Sequence, residues 1–279
     1  VSHVWINGDV LDGDRARVSP FDHGLLTGDG VFETLRVYRG VPFAARRHLD
    51  RLALSAAAMG LPCPPPDVLR LAMEEVIAAN RFESARLRIT LTGGTAPLGS
   101  DRADVEPTVI VAGGPLTTWP PATPVVTVPW PRNERAALAG VKTISYGENV
   151  VALAYAHERG AGEAIFGNLV GNLCEGTGTN VFVAVGSRMI TPPLSSGCLA
   201  GVTRDLLLEL LDVEEQDMPL AALASAREAF LSSSTREVQP ISAVDGHALP
   251  GGVGQRGLGG FTGAARARFR ELVRRDMDP

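Results

Sequence analysis

Of the 26 basic side chains in this sequence, one is a lysine, Lys142, and the other 25 are arginines. An arginine stays protonated at any physiological pH. A desolvated lysine can release its proton and attack a carbonyl carbon, so of the two only lysine can form a Schiff base. Leu138-Ala139-Gly140-Val141 precedes Lys142 and Thr143-Ile144 follows it, an apolar frame that favours the neutral amine. Two readings stay open on the residues alone: a chemical amine, or an ordinary surface lysine in a chain that otherwise uses arginine.

A Schiff-base lysine commonly serves an electron sink. Pyridoxal phosphate, the commonest sink of this kind, asks three more things of a protein: a phosphate cradle, a carboxylate for the ring nitrogen, and a surface against the ring. Gly201-Val202-Thr203-Arg204-Asp205 leads into a helical pattern, where backbone amides and the Thr203 hydroxyl could hold a phosphate at the positive end of the dipole. Ser232-Ser233-Ser234-Thr235 offers four hydroxyls after a strand, either a second wall for a phosphate or a polar turn. Glu175 lies in Leu173-Cys174-Glu175-Gly176-Thr177-Gly178-Thr179-Asn180, where glycine lets a ligand approach the backbone; it reads equally as a turn carboxylate.

These residues need elements to position them. Val4–Ile6 and the alternating Val31–Tyr38 read as strands, with turns at Asn7-Gly8-Asp9 and Arg39-Gly40. The apolar spacing from Arg47 to Met59 predicts a helix ended by Gly60 and Pro62, and Asp67 is placed to cap a second helix through Ala79. Ala85–Thr92 and Thr108–Ala112 read as strands about Gly93-Gly94. Beyond a proline- and threonine-rich break, strands are expected at Val125–Val128, Ala164–Phe166, Val181–Val185, Met189-Ile190, Phe230-Leu231 and Val238–Ile241. Helices are expected at Glu148–Arg159 and Thr203–Leu211, and a glycine-rich loop at Gly251–Gly263. The expected class is therefore α/β (α+β), with a small N-terminal α/β domain over 1–113, a linker over 114–124 and a larger cofactor-binding domain over 125–279.

Composition narrows the partners. With 279 residues, 45% hydrophobic and 20% charged, the chain is long and apolar enough for a substantial core. A formal charge of −5 gives it no claim on nucleic acid or an anionic membrane, so a small-molecule amine substrate is the expected partner. Cys63, Cys174 and Cys198 lack the C-x-x-C spacing of a zinc site and are odd in number, which suits a reducing compartment. The polar, acidic stretch Val1–Asp14 does not read as a secretory leader, and the expected location is the cytoplasm.

Together the fragments resemble the fold-type IV pyridoxal-phosphate enzymes, the class IV aminotransferase family. The resemblance rests on Val4-Trp5-Ile6-Asn7-Gly8, Gly28-Asp29-Gly30-Val31-Phe32-Glu33-Thr34, His48-Leu49-Asp50-Arg51-Leu52, Leu138-Ala139-Gly140-Val141-Lys142, Glu175-Gly176, Asn180-Val181-Phe182 and Gly201-Val202-Thr203-Arg204-Asp205, in this order. It implies two α/β domains with pyridoxal 5'-phosphate between them, and a homodimer. It further implies that Lys142 is the Schiff-base lysine and proton shuttle, and that Glu175 keeps the pyridine nitrogen protonated. Arg51 would grip the phosphate with Val202, Thr203 and Ser234, and Leu199 would pack on the ring.

The departures bear on the reaction. D-amino acid aminotransferases of this family place an Arg-x-His pair after a Gly-Thr-x-Pro turn, where this chain has Leu98 and Ser100. Branched-chain aminotransferases read Phe-Glu-Gly-Ile-Arg in place of Phe32-Glu33-Thr34-Leu35-Arg36, and carry a tyrosine at the position of Gly147, next to Tyr146. Arg132-Asn133 and Leu138–Lys142 are similar to aminodeoxychorismate lyases. The expectation is thus a 4-amino-4-deoxychorismate lyase that releases 4-aminobenzoate and pyruvate in folate biosynthesis. The alternative is an aminotransferase of branched-chain or D-amino acids, and a lesser one is a cofactor-binding protein without turnover. Thr34 and Arg36 are the substrate-side candidates in either enzyme.

Overall fold

The computed structural model describes residues 2–251 and 260–279. The chain divides into two compact units. The first comprises Val1–Thr117, Val141–Tyr146 and Asp276–Pro279, and the second Thr118–Gly140 and Gly147–Arg275. The crossing at Thr117 falls inside the expected linker, but the division is not a single cut: Lys142 belongs to the first unit, not to the larger C-terminal part where the sequence placed it.

The first unit is built on a six-stranded antiparallel sheet. Its elements are β1 (His3–Ile6), β2 (Asp9–Asp12), α1 (His23–Thr27), β3 (Gly30–Tyr38), β4 (Val41–Pro42), α2 (Ala45–Ala58), α3 (Pro66–Asn80), β5 (Ser84–Thr92) and β6 (Thr108–Gly114), with strand order β2-β1-β6-β5-β3-β4. Leu35 and Val37 of β3, Leu87, Ile89 and Leu91 of β5, and Val109 and Val111 of β6 point to one face. There they meet Leu49 and Leu52 of α2 and Leu69, Met73 and Val76 of α3 in one apolar core. The period of two in the strands and of three to four in the helices produces this meeting. Asp67 does not cap α3: Pro66 takes the first helical position, Pro65 is the N-cap without a side-chain bond, and Asp67 lies in the first turn facing the dipole.

The second unit carries a nine-stranded mixed sheet. Its elements are β7 (Thr123–Thr127), α4 (Gly147–Glu158), β8 (Glu163–Gly167), β9 (Leu173–Gly176), β10 (Asn180–Val185), β11 (Arg188–Thr191), α5 (Val202–Leu210), β12 (Val213–Glu215), β13 (Ala229–Ser233), β14 (Glu237–Val244), β15 (His247–Ala248) and α6 (Gly260–Arg275). The order is β12-β11-β10-β13-β14-β7-β8-β9, with β15 paired to β14. Ala152 and Ala156 of α4 pack on Val126, Ala164 and Phe166. The expected glycine-rich loop is corrected at its end: residues 252–259 lie outside the described ones, and Gly260–Gly263 opens α6. Both carboxylate oxygens of Glu228 accept there, from Phe261 N at 3.1 Å and Thr262 N at 3.0 Å, and so satisfy amides that a helix start leaves open. Among the described residues no helix is long and apolar enough to cross a membrane.

Candidate active site

In the first unit, Lys142 is held by its backbone along the outer edge of β3. Phe32 N donates to Lys142 O at 3.0 Å, Ile144 N donates to Gly30 O at 2.9 Å, and Val31 bridges Thr143. Lys142 N donates to Ser55 Oγ of α2 at 3.3 Å. Gly30 permits this approach, because a Cβ there would stand 2.6 Å from Leu91 O and 2.8 Å from Ile144 Cδ1. The Lys142 ammonium position is 4.3 Å from the centre of the Phe32 ring, which Tyr146 meets edge-on at 5.2 Å. The amine is therefore fixed by sheet pairing and rests on an aromatic face. Tyr146 thus acts on Phe32 within this unit.

Glu33 follows Phe32 and points to the opposite, core-facing side of β3, with Leu35 and Val37. It is fully buried and meets two side chains one helical turn apart on α2. Arg51 Nε donates to Oε1 at 2.7 Å and Arg51 Nη2 to Oε2 at 2.8 Å, while His48 Nδ1 lies 2.7 Å from Oε2. Burial would raise the Glu33 pKa, but the charge of Arg51 and the hydrogen bonds from Arg51 and His48 together hold it far below the usual carboxylate range. Burial pushes the His48 pKa down, more than Glu33 pushes it up, so a neutral imidazole donates Nδ1–H to the carboxylate. The expected phosphate ligand Arg51 thus has its Nε–Nη2 edge engaged by Glu33.

The other face of β3 presents the substrate-side candidates. Thr34 stands opposite Arg88 of β5 and Arg36 opposite Arg86. Arg88 lies over Phe32 at 3.8 Å and Arg36 over Tyr38 at 4.5 Å. Leu98 is 72% exposed in the connection after β5. The sequence reading missed Arg88, although the strand alternation puts it on the same face as Thr34 and Arg36.

In the second unit, β9 and the turn before α5 set the remaining candidates. Glu175 Oε2 accepts from Leu199 N at 2.9 Å, and Arg132 Nε lies 3.2 Å from Glu175 Oε1. Arg132 is itself held: its guanidinium lies over the buried Phe166 ring at 4.1 Å and donates through Nη1 to Asn149 Oδ1 at 3.0 Å. Asn180 Nδ2 donates to Leu199 O at 2.8 Å, and a Cβ on Gly201 would stand 2.0 Å from Asn180 Oδ1. Gly201 is the N-cap of α5 and supplies no side-chain bond, so no cap side chain takes the first amides, those of Val202 and Thr203; both residues are buried. Ser234 opens the turn between β13 and β14, and the buried Ser232 Oγ next to it has no hydrogen-bond partner among the described residues. Burial pushes the Cys198 thiol up to about 11 and Cys174 higher still, which removes both as nucleophiles near neutral pH. The structure brings Glu175 to Leu199 and collects Val202 and Thr203 at one helix start; Arg132, which the sequence singled out only for its resemblance to the lyases, lies against Glu175, and Asn149 is the residue the sequence did not point to.

Residues 30–244 match the family described as amino-transferase class IV. A branched-chain-amino-acid aminotransferase of Escherichia coli is 30% identical over 272 residues, covering 88% of this chain and 85% of that protein. A D-alanine aminotransferase of Bacillus licheniformis is 29% identical, covering 89% of this chain and 90% of its own. The holo-form structure of a Thermobaculum terrenum branched-chain amino acid aminotransferase with pyridoxal phosphate superposes with a TM-score of 0.88 at 26% identity, over 99% of this chain and 95% of that one. These relatives are aminotransferases, and they do not support the placement nearest the aminodeoxychorismate lyases. The structure gives the reason: Arg132 is used to hold Glu175, and the segment through Lys142 to pair with β3, tasks that carry no information about which bond is broken. The chain belongs to the class IV aminotransferase family.

Proposed function

We propose that this chain is a pyridoxal 5'-phosphate-dependent aminotransferase of amino acids, with branched-chain substrates ahead of D-amino acids. The observation that carries the reading is Lys142, the one side-chain amine of the sequence, fixed by backbone bonds to Gly30 and Phe32. The donor set suits the cofactor: one amine for its aldehyde, a guanidinium and a helix start without a cap side chain for its phosphate, a buried Ser232 hydroxyl with no partner among the described residues, and a carboxylate for its ring nitrogen. When bound, the cofactor supplies a carbonyl that takes up the amino group and a ring that accepts an electron pair.

The chain's own residues then have separable tasks. Lys142 would hold the cofactor through its amine and, as the free amine, would move the proton at the substrate carbon. Arg51, Val202, Thr203 and Ser234 bind the phosphate, and Leu199 packs against the ring. Glu175 keeps a proton on the ring nitrogen, stabilising the charge that develops there. Thr34 and Arg36 face the substrate, and Leu98 and Ser100 supply no cation for the carboxylate of a D-amino acid.

Mixing the yellow holoprotein with leucine or valine tests the reading. The yellow form should bleach, and 2-oxoglutarate should restore it. Sustained release of pyruvate and 4-aminobenzoate from aminodeoxychorismate, without an added keto acid and without bleaching by amino acids, would replace the aminotransferase by the lyase. No reaction with any amine would leave a cofactor-binding protein.

A further inference from the structure

A carboxylate buried at the core face of a strand needs a purpose, because hiding a charge is costly unless its partners are well placed. Glu33 has no accessible surface, yet β3 puts it where the neighbouring inward positions hold Leu35 and Val37. Its oxygens take the Nε–Nη2 edge of Arg51 in a two-point contact, and His48 adds a third bond at Oε2. Such a fork fixes the plane and rotation of a guanidinium, which a single contact cannot do.

We propose that Glu33 is the positioning residue of the phosphate site: it clamps Arg51 by its Nε–Nη2 edge, so that the cofactor phosphate meets a preoriented guanidinium. The proposal rests on the reading of Arg51 as a phosphate ligand. Two effects compete. The negative charge of Glu33 opposes a phosphate, while the clamp removes the rotamer freedom that Arg51 would otherwise lose on binding. His48 bears on the balance: as a neutral donor it fixes Glu33 without adding a second cation, an arrangement suited to orientation and not to accumulating positive charge. On this proposal the clamp outweighs the repulsion.

The test compares the apoprotein's dissociation constants for pyridoxal 5'-phosphate and for pyridoxal, read by absorbance titration, with melting curves as the control for folding. Both ligands carry the aldehyde and the ring, so their ratio isolates the phosphate. Glu33→Gln, which sets an amide donor against the Arg51 donors, should weaken pyridoxal 5'-phosphate by about 10-fold or more and leave pyridoxal within about 3-fold. Glu33→Asp keeps the charge but withdraws it from Arg51, and should move the ratio the same way; it serves if the glutamine variant does not fold. Arg51→Gln is the reference. If it lowers the preference for the phosphate ester and neither Glu33 variant does, the positioning role is wrong and the Arg51 reading stands. If Arg51→Gln leaves the ratio unchanged, the Arg51 reading itself fails. Tighter phosphate binding by Glu33→Gln would show repulsion to dominate and overturn the proposal.

Discussion

The clusters around Arg51 and around Glu175 solve one problem with opposite charges. In the first unit the candidate site residue is a cation and its holder a carboxylate; in the second the candidate is a carboxylate and its holder a cation. The holders differ more than the sign. Glu33 is sealed in the core and grips Arg51 at two points with a third bond from His48, whereas Arg132 and Glu175 keep 17% and 14% of their side-chain surface and lie 3.2 Å apart. The lost directionality is made up elsewhere: Phe166 fixes the plane of Arg132 by stacking, and Leu199 N fixes the second oxygen of Glu175. A guanidinium can thus be oriented by a fork or by a ring.

Both clusters are subordinate to the amine. Lys142→Ala should lower turnover by at least about 10³-fold, as removal of a covalent catalytic group does elsewhere. Borohydride followed by mass mapping should find one pyridoxyl group on Lys142 in the parent protein and none in the variant; a label elsewhere would break the assignment.

The sealed cluster should dominate acid sensitivity. Glu33 and His48 both have native pKa values below their ordinary ones, so the unfolded chain binds more protons as the pH falls. Stability from His48 is present above about pH 6.5 and declines below it, and that from Glu33 is present above the usual carboxylate range and is lost below it. Glu33→Gln should cost about 3–5 kcal/mol near neutral pH, the cost of breaking a buried pair. In melts from pH 7 down to pH 3 the gap between parent and variant should narrow; a constant gap would mean that the fork stabilises by packing alone.

The open cluster should show its effect in chemistry more than in folding. Glu175→Gln should retain cofactor and lose about 10² in kcat. Arg132→Met should lose less, about 10-fold, at unchanged cofactor stoichiometry, and Arg132→Lys, which keeps charge without a planar face, should fall between parent and methionine. Equal rates for lysine and methionine would show that stacking on Phe166 matters and charge does not. The smallest effect belongs to Arg188–Glu214, a pair at the same 2.7 Å as the Arg51–Glu33 contact but with its side chains 50% and 47% exposed. Arg188→Ala should shift Tm by less than about 2 °C, because solvent, and not distance, sets what an ion pair is worth.

Much of the scaffold could be read from local pattern. The alternation in Val31–Tyr38, the apolar spacing of Arg47–Met59 and the stop at Gly160 each express a rule that acts within a few residues. The helix at Gly260–Arg275 was hidden because its start looks like a turn: Gly260 has a positive φ, and the amides after it are satisfied by Glu228 from a distant part of the chain. Lys142 stood out because one count was anomalous, and Glu175, Leu199 and Thr203 through ordered motifs. Their holders were not legible for the same physical reason in each case. Glu33 can be assigned to the inward face by counting, but that α2 brings Arg51 and His48 to it is a fact of helix-on-sheet packing, and Arg132 finds Glu175 only once β8 and β9 pair. The reaction resisted for another reason: Thr34, Arg36 and Arg88 lie on an open sheet face, where arginine and threonine are ordinary residues.

The pairing of the Lys142 segment with β3 has a consequence for solubility. An exposed strand edge is a template on which another chain can build. Along β3, Gly30 and Phe32 are bonded by Ile144 and Lys142, Thr34 N donates to its neighbour Glu33 at 3.3 Å, Arg36 O accepts from Phe43 N at 2.9 Å, and Tyr38 pairs with β4. Every second residue of that edge is already engaged, and the Lys142 segment supplies two of the stoppers. A change that loosened residues 141–146 would therefore bare an apolar β edge as well as misplace an amine, so loss of activity by that route should be accompanied by aggregation.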